Sequence, residues 1–471
     1  MSFTSNTFLF IFLPFTVIFH YFLPMKVKNI FLILMSLIFF IWLNPKLIVV
    51  LIFSILTNYI IGNNIIKKEG QIKWLSIGIV INLVLLFYYK YTDFFISILN
   101  GIFHVQIEIK EIMLPIGISF FTFSGISYLI DLYFKKIDNS PNLIDVALYI
   151  SFFPKLLQGP ITRFNQIKSN IDNRGITTDM LVMGIQRCII GLAEKTIIAD
   201  SLGKVVDSIW FAGPNQITSS IAWLGSICYT LQIYFDFAGY TNMAIGIAKM
   251  LGFNLPENFD FPYISKSITE FWRRWHITLG SFFRDYVYIP LGGNRKGISR
   301  TYVNLIIVFF LTGLWHGASW HFIAWGLFNG LFMLIERGIK QSRFSFSIIP
   351  KRIKSFILHV YALFVINLSW VLFRANNMSS AIRYIKIMLG IEKTLKPPLT
   401  VGWYLNRWNI FVLIVAIILA SDFIWKILKK QNNKNCVFKM SIKFIFLLCL
   451  LFISLMKVIS GSYSSFIYFQ F

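Results

Sequence analysis

The sequence predicts an all-α protein that crosses a membrane many times. Of its 471 residues, 56% are hydrophobic and only 14% are charged, whereas a soluble domain has about 25% charged residues. Several charge-poor runs also approach the roughly 20 apolar residues that a spanning helix needs. We therefore expect a polytopic membrane protein of about ten to twelve helices, including re-entrant or interfacial pieces. We also expect a single integral-membrane domain over residues 1–471.

Apolar runs mark the predicted helices along the chain. Several are too short for a full crossing, which is why re-entrant or interfacial pieces are expected. The first run has no basic segment before it and no small-residue cleavage site, so it is predicted to be a retained helix rather than a signal peptide. The predicted segments are 3–23, 29–43, 46–66, 73–89, 112–134, 143–158, 180–199, 217–235, 302–314, 317–336, 355–373, 408–428 and 441–459.

The net charge of +24 comes mainly from loops rather than from one basic face. Basic residues concentrate at 67–73, 337–354 and 426–443, and the positive-inside rule assigns such loops to the cytoplasm. Cytoplasmic loops explain this charge better than nucleic-acid binding does. The same rule places the N-terminus and the tail after Lys457 outside. The segment 374–407 breaks the rule, and its pattern is typical of an amphipathic helix on the membrane surface.

The cysteines and most histidines give no sign of a metal or disulfide site. Cysteines 188, 228, 436 and 449 have neither metal-ligand spacing nor a paired framework. His20, His104 and His359 lie at the edges of predicted helices and are assigned no role. No metal is expected. The chain also lacks the internal repeats of many secondary transporters, which disfavours that class.

His316 lies inside "LTGLWHGASWHFIAWGLFNG", residues 311–330, a run apolar enough to lie within a bilayer. An imidazole at that depth usually lines a functional site or a wet cavity. One interpretation is structural, because Gly313 and Gly317 form a GxxxG pattern that brings helices close together. The other is a general base, since a neutral imidazole accepts a proton near physiological pH. His321 lies five residues further on and is not expected to share a site with His316.

A basic and aromatic stretch, "ITEFWRRWHITLGSFFRDYVYIPLGGNRKG" at 268–297, contains His276. The stretch is typical of an amphipathic helix anchored at the cytoplasmic interface by basic and aromatic side chains. Alternatively, its basic side chains attract an anionic donor such as coenzyme A. The GGNRKG segment lacks the spacing of a phosphate-binding P-loop. The candidate donor-binding residues are Arg273, Arg274, Arg295 and Lys296.

Two further stretches are polar where apolar residues are expected. In residues 149–164, Lys155 and Gln158 lie between Pro154 and the Gly159–Pro160 pair. Broken helix at membrane depth requires cover from protein or a cavity. Asp236 lies in an apolar run, "LQIYFDFAGY". A buried carboxylate is usually paired with a cation, so Asp236 is predicted to be structural.

The sequence resembles the membrane-bound O-acyltransferases, in the branch that contains the membrane subunit of bacterial alginate O-acetyltransferase. The resemblance rests on QGPITRF, QIYFDFAGYTNMAIG, LGFNLPENFDFPY, FWRRWHITL, YIPLGGNR and GLWHGASWHFIAWG, which extend through nearly the whole chain. It implies that His316 is the essential histidine and His276 the second recurrent one. It also implies a ring of helices around a funnel that reaches an active site within the membrane.

The resemblance implies a function as well. It predicts an enzyme of the bacterial cytoplasmic membrane that passes an acyl group, taken here as acetyl, from a cytoplasmic thioester to hydroxyls of an extracytoplasmic polysaccharide. The donor, such as acetyl-CoA, is a substrate, and no bound cofactor is expected. An extracytoplasmic esterase-like acyltransferase is the implied partner protein. The alternatives are D-alanyl transfer to teichoic acid from a carrier-protein thioester and, in a different class, a membrane transporter.

The tail "SGSYSSFIYFQF" ends the chain without a charged residue after Lys457. Its aromatic residues are typical of an anchor at the outer membrane interface. Small partner peptides of the D-alanyl branch resemble this ending, with a tyrosine among phenylalanines. That resemblance gives Tyr468 a catalytic role as an acyl acceptor. A phenol is a weak nucleophile at neutral pH, so this role requires His316 nearby as a base.

Overall fold

The computed structural model describes residues 2–67, 69–108, 112–137, 141–342, 350–392, 399–423, 426 and 437–461, and in these residues the regular secondary structure is entirely helical. The predicted all-α class is thereby confirmed. The α-helices are Leu13–Phe22, Met25–Leu43, Ile48–Lys67, Gln71–Lys90, Thr92–Phe103, Ile118–Tyr133, Leu143–Ser151, Phe153–Leu156, Phe164–Asp172, Thr178–Ala193, Asp200–Ala212, Ser219–Met250, Ile268–Arg274, Ile277–Phe283, Ile298–His316, Trp320–Gln341, Lys351–Arg374, Met378–Met388, Val401–Tyr404, Arg407–Ala420 and Val437–Ile459.

Among the described residues, 7 helices are long and apolar enough to cross a membrane. These are Met25–Leu43, Pro45–Lys67, Gln71–Lys90, Ile298–His316, Trp320–Gln341, Lys351–Arg374 and Ser441–Ile459. Shorter apolar helices are Phe8–Phe22, Thr92–Phe103, Ile118–Tyr133 and Arg407–Ala420. The protein is thus a multi-pass membrane protein with helices of two length classes. The ring around a funnel and the side of the membrane that each loop faces stay predictions.

The chain divides into two compact units, each described here by itself. Unit 1 comprises Met1–Ile189 and Tyr240–Glu257, and unit 2 comprises Ile190–Gly239 and Asn258–Phe471. The single domain over residues 1–471 stays a prediction. His276, His316 and His321, which are described below, belong to unit 2.

Unit 1 buries the polar break predicted at residues 149–164. Helix Leu143–Ser151 ends and a short helix, Phe153–Leu156, follows it. Lys155 and Gln158 are 4% and 3% exposed, so protein covers this break. The Lys155 ammonium donates a hydrogen bond to Ser124 Oγ over 3.2 Å and lies 3.8 Å from the centre of the Tyr149 ring. Both contacts compensate part of the cost of burying the charge.

Unit 2 contains the partner predicted for Asp236. The Lys195 ammonium lies 2.6 Å from Asp236 Oδ1 and 2.6 Å from Asp200 Oδ1. The side chains of Lys195 and Asp236 are 0% and 3% exposed, so this ion pair is shielded from solvent. The prediction that Asp236 is paired with a cation is confirmed, and its structural role stays a prediction. Breaking this ion pair would destabilise the fold, because either charge would then be unpaired in the interior.

An amphipathic helix, Met378–Met388, forms within the segment predicted to contain one. An Asn377 side chain caps its first turn by accepting a hydrogen bond from the Ser380 N–H, which supplies a partner that the helix itself lacks. Ala381, Tyr384 and Met388 are buried, at the spacing of one helical face. The helix is therefore confirmed, and its position on a membrane surface stays a prediction.

Candidate active site

His316 is the last residue of helix Ile298–His316 and is 4% exposed. Aromatic rings surround its imidazole edge to face. The ring centre of Trp325 lies 4.9 Å away, that of Phe373 5.2 Å away and that of the neighbouring Trp315 4.8 Å away. These rings fix the imidazole in an apolar enclosure from which bulk water is excluded.

The glycines beside His316 are required by close packing between helices Ile298–His316 and Trp320–Gln341. A Cβ atom added to Gly313 would collide with the carbonyl oxygen of Phe322. A Cβ on Gly326, across the contact, would collide with the Phe309 carbonyl and lie 3.0 Å from the Cα of Gly313. Gly313 therefore has the structural role that one interpretation of the sequence gave it. Gly317 instead lies beyond the helix end in an extended conformation, so the close helix contact pairs Gly313 with Gly326 rather than using the predicted Gly313–Gly317 pattern. This contact fixes the helix end that carries His316, so the structural interpretation does not compete with a functional histidine.

His276 occupies the turn between helices Ile268–Arg274 and Ile277–Phe283. Its backbone has a φ of 45° and a ψ of 52°, a left-handed conformation that is uncommon outside glycine. The side chain is 1% exposed, and its Nδ1 lies 3.1 Å from Asn258 Oδ1. In the described part of the chain, Nε2 has no hydrogen-bond partner. A strained turn that buries an unsatisfied ring nitrogen is typical of a ligand-contacting residue.

The two predicted histidines, His276 and His316, both lie beside the indole ring of Trp315. The Trp315 ring lies 6.0 Å from the His276 ring and 4.8 Å from the His316 ring, measured between centres. Residues 40 positions apart in the sequence therefore reach the same small region of unit 2. Burial lowers the pKa of His276 to about 3. Its imidazole is thus neutral at physiological pH and available as a hydrogen-bond acceptor.

A cavity of about 1830 Å³ in unit 2 is lined by His276. Thr312, one helical turn before His316, also lines it. Its charged lining residues are six basic ones and two acidic ones, Glu270 and Glu336. We refer to it as the basic cavity. The basic residues are Lys266, Arg273, Arg284, Arg337, Lys340 and Lys354.

The four predicted donor-binding residues occupy different environments. Arg273 lines the basic cavity. Arg274 forms ion pairs with Asp260 at 2.7 Å and Glu270 at 3.1 Å, and it does not line the cavity. Arg295 and Lys296 are exposed and also lie outside the lining. Donor binding stays a prediction for all four, and the geometry favours Arg273 among them.

The sequence pattern does not identify Lys340 and Lys354 as candidates, because basic residues such as those of 337–354 are typical of any cytoplasmic loop. It also missed Glu336. This carboxylate accepts hydrogen bonds from the backbone N–H groups of Ile268 and Thr269, at 2.5 and 3.0 Å, and from the Thr269 hydroxyl at 2.7 Å. Glu336 therefore caps the short helix that ends just before the His276 turn. Ile268 and Glu336 are 68 positions apart, and no local sequence pattern predicts a contact between them.

Of the four other histidines, His104 is exposed and the remaining three each lie within hydrogen-bond distance of a partner. His321 Nδ1 lies 2.9 Å from Ser319 Oγ, His20 Nε2 lies 3.1 Å from the Arg174 guanidinium, and His359 Nδ1 lies 3.0 Å from the Ser265 carbonyl oxygen. The described residues contain no group of three or more side chains arranged to hold a metal ion. Tyr468 lies outside the described residues, so its catalytic role stays a prediction.

Comparison with known proteins defines the class. Residues 85–376 match the model of the membrane-bound O-acyltransferase family. The chain is 37% identical to a "Probable alginate O-acetylase" of Pseudomonas putida over 100% of both chains. It is 40% identical to a protein of the same name from Azotobacter vinelandii, over 83% of this chain and 78% of the relative. A "Peptidoglycan O-acetyltransferase" of Helicobacter pylori is 35% identical over 89% of this chain and 86% of the relative.

The helical membrane fold and these matches together define a membrane acyltransferase. The chain belongs to the membrane-bound O-acyltransferase family, in the branch similar to the alginate O-acetylases. The resemblance inferred from the sequence motifs is thereby confirmed.

Proposed function

We propose that this protein is an O-acetyltransferase of the bacterial cytoplasmic membrane. It takes an acetyl group from a cytoplasmic thioester, such as acetyl-CoA, and passes it towards hydroxyl groups of a polysaccharide outside the membrane. One observation carries the proposal: in a member of an O-acyltransferase family, two buried histidines flank Trp315, and one of them lines a large basic cavity.

The charge of the cavity supports an anionic donor. The six basic side chains outnumber the two carboxylates, and Glu336 already accepts three hydrogen bonds from the Ile268–Arg274 helix. A concave surface of one charge sign raises the local concentration of an oppositely charged substrate. The phosphate groups of acyl-CoA match these cations, and the apolar walls, including Trp272, Phe309 and Phe332, suit its acyl-bearing arm.

In the proposed reaction His316 is the general base. Its imidazole accepts the proton of the acceptor hydroxyl while the hydroxyl oxygen attacks the thioester carbonyl. The tetrahedral intermediate then expels the thiolate, which takes up a proton, so the products are an oxygen ester and a free thiol. The aromatic enclosure of Trp325 and Phe373 supports this role because it limits competing hydrolysis by water.

The acceptor class follows from the relatives. Two are named for alginate O-acetylation and one for peptidoglycan O-acetylation, and both acceptors are extracytoplasmic polymers that contain sugars. Transfer to such a polymer from a membrane-embedded site requires a further carrier. We propose an extracytoplasmic esterase-like acyltransferase as the partner that completes delivery.

The proposal is tested by following acyl groups into cell-surface polymer. Cells that carry the wild-type gene, the His316→Ala gene or no gene are supplied with labelled acetate or labelled D-alanine, and ester-linked label in the purified polymer is measured. Acetyl label that requires both the gene and His316 is the expected result. D-alanyl label in place of acetyl would favour the teichoic-acid alternative. Label that is independent of the gene would overturn the proposal and leave transport as the alternative.

A further inference from the structure

Asn258 holds the buried His276 ring through a single oxygen atom. Asn258 is 0% exposed, and its Oδ1 lies 3.1 Å from His276 Nδ1. The same oxygen accepts a hydrogen bond from the Thr278 backbone N–H at 3.2 Å and one from the Thr278 hydroxyl at 2.9 Å. The Asn258 main chain also accepts a bond from the Ile277 N–H, at 3.0 Å. One residue thus contacts three consecutive positions of the turn.

These contacts determine which ring nitrogen of His276 carries the hydrogen. A backbone N–H can only donate, so the atom that faces Thr278 must be the oxygen of the Asn258 amide and not its nitrogen. That oxygen can only accept, so His276 Nδ1 must be the protonated nitrogen. The neutral ring then has its lone pair on Nε2. This is the ring nitrogen without a hydrogen-bond partner among the described residues.

We infer that Asn258 is a positioning residue that holds His276 in the Nδ1–H tautomer, so that Nε2 accepts a hydrogen bond from a bound substrate. The inference rests on the proposed function, because it deepens the role of a histidine that lines the basic cavity. The substrate group that Nε2 recognises is a hydrogen-bond donor, such as an amide N–H or a hydroxyl. The opposite tautomer would present an N–H to that group and repel it.

The backbone geometry of the turn indicates that His276 is placed for substrate binding rather than for stability. A left-handed backbone at His276, with a φ of 45°, is strained for a residue with a side chain because its Cβ crowds the following carbonyl oxygen. A helix joined by a relaxed turn would avoid this strain. The strain places the ring against Asn258 on one side, while its centre lies 4.8 Å from the Phe237 ring. The position and the tautomer of the imidazole are therefore fixed before substrate binds.

The direct test is nitrogen NMR of the detergent-solubilised full-length protein labelled with ¹⁵N in its histidine rings. The His276→Gln variant identifies the signals of His276. The expected wild-type spectrum has a protonated Nδ1 and an unprotonated Nε2. The expected spectrum of Asn258→Leu, which removes the accepting oxygen, shows the Nε2–H form in its place. The Thr278→Val variant is the matched control: it removes one other hydrogen bond to the same oxygen, and the tautomer should remain Nδ1–H.

A second variant keeps the test decisive if Asn258→Leu does not accumulate. The Asn258→Asp carboxylate can accept the same hydrogen bonds, and its negative charge should favour a protonated His276 ring. Burial lowers the pKa of the wild-type ring to about 3, and we expect the variant ring to gain its proton at a higher pH than the wild-type ring does. The charged or titratable groups around the site are the same in both proteins: Lys266, Glu270, Arg273, Arg284, Glu336, Arg337, Lys340 and Lys354 in the cavity, and His316 beyond Trp315.

Enzyme assays complete the test. In the proposed reaction, Asn258→Leu should lower kcat at least about 10-fold, less than the loss of about 10² to 10⁴ that follows removal of a general base. A wild-type Nε2–H ring, or a tautomer unchanged in Asn258→Leu, would overturn the inference even if acetyl transfer is intact. Gene-independent acetyl transfer would overturn the proposed function without changing the spectrum. The two failures are therefore distinguishable.

Discussion

Two buried polar centres of unit 2 differ in how completely the protein satisfies them. At the first, the Lys195 ammonium lies 2.6 Å from each of two carboxylates, Asp200 and Asp236. At the second, His276 is held through Nδ1 by Asn258, whereas Nε2 has no partner in the described chain. Both centres are shielded from solvent, so burial alone does not distinguish them.

The difference lies in what each centre leaves for a ligand. Leaving a buried polar atom unsatisfied costs about 1–3 kcal/mol, so a folded protein rarely does so without a reason. The lysine centre places opposite charges together, which is what a structural role requires. The histidine centre leaves an acceptor atom on a residue that lines a cavity. Substitutions at the two centres should therefore affect different quantities, stability at the first and turnover at the second.

The largest expected effect is at His316. The His316→Ala variant should lose about 10² to 10⁴ in the rate of acyl transfer, as expected for removal of a general base. Its thermal unfolding temperature in detergent should change little, because the Trp325 and Phe373 rings that enclose the site remain. The measurements are polymer acetylation per molecule of membrane-inserted protein and a melting curve. Wild-type acetylation by a well-expressed variant would remove His316 from the mechanism.

If Tyr468 carries the acyl group, its substitution should lower turnover rather than stability, as expected at the histidine centre. The Tyr468→Phe variant keeps the aromatic ring and removes only the hydroxyl, so it should lose polymer acylation almost as fully as His316→Ala. The check is acylated polymer at equal levels of membrane protein, with Tyr463→Phe, in the same tail, as the control. Normal acylation in Tyr468→Phe would identify the tail as an aromatic anchor.

Asp236 should affect stability instead. Removal of one partner of a buried ion pair costs about 3–5 kcal/mol, and we expect the lower end for Asp236→Ala because Asp200 still contacts Lys195. The measurement is the unfolding midpoint in denaturant, compared with acyl transfer per folded molecule. Glu257→Ala is the control, because its ion pair with Arg187 is exposed and such pairs contribute about 0–1 kcal/mol. A stable but inactive Asp236→Ala protein would contradict the structural assignment.

The smallest expected effect is at the basic cavity. Arg273→Glu should raise the KM for the thioester donor about 10-fold with little change in kcat, because it weakens only the attraction of an anion. High salt should reduce the difference, since exposed charges are screened beyond about 10 Å at 0.1 M. Arg407→Glu changes charge by the same amount at an exposed residue outside the cavity lining and is the matched control. Equal KM values for the two variants would indicate lipid anchoring in place of donor binding.

The sequence predicted most of what depends on local pattern. Apolar runs identified all 7 described helices that are long enough to span a membrane but missed the shorter helices Thr92–Phe103, Phe164–Asp172 and Asp200–Ala212. The motifs around His316 and His276 identified the two histidines that pack against Trp315. It did not separate Arg273 from Arg274, because neighbouring helical residues differ in direction by about 100° and only one reaches the cavity. Lys340, Lys354 and Glu336 were missed for another reason: their neighbours in space are far apart in the sequence.

The contact between Gly313 and Gly326 also has a consequence for genetics. At both positions a single added carbon would collide with backbone of the opposite helix, which cannot move aside as a side chain can. Gly101 and Gly175, in contrast, have nothing within 4 Å of an added Cβ. In an unbiased screen for alleles that lose polymer acylation, missense mutations should accumulate at the first pair of glycine codons and be absent from the second. Even a change to alanine should inactivate the gene at Gly313 or Gly326.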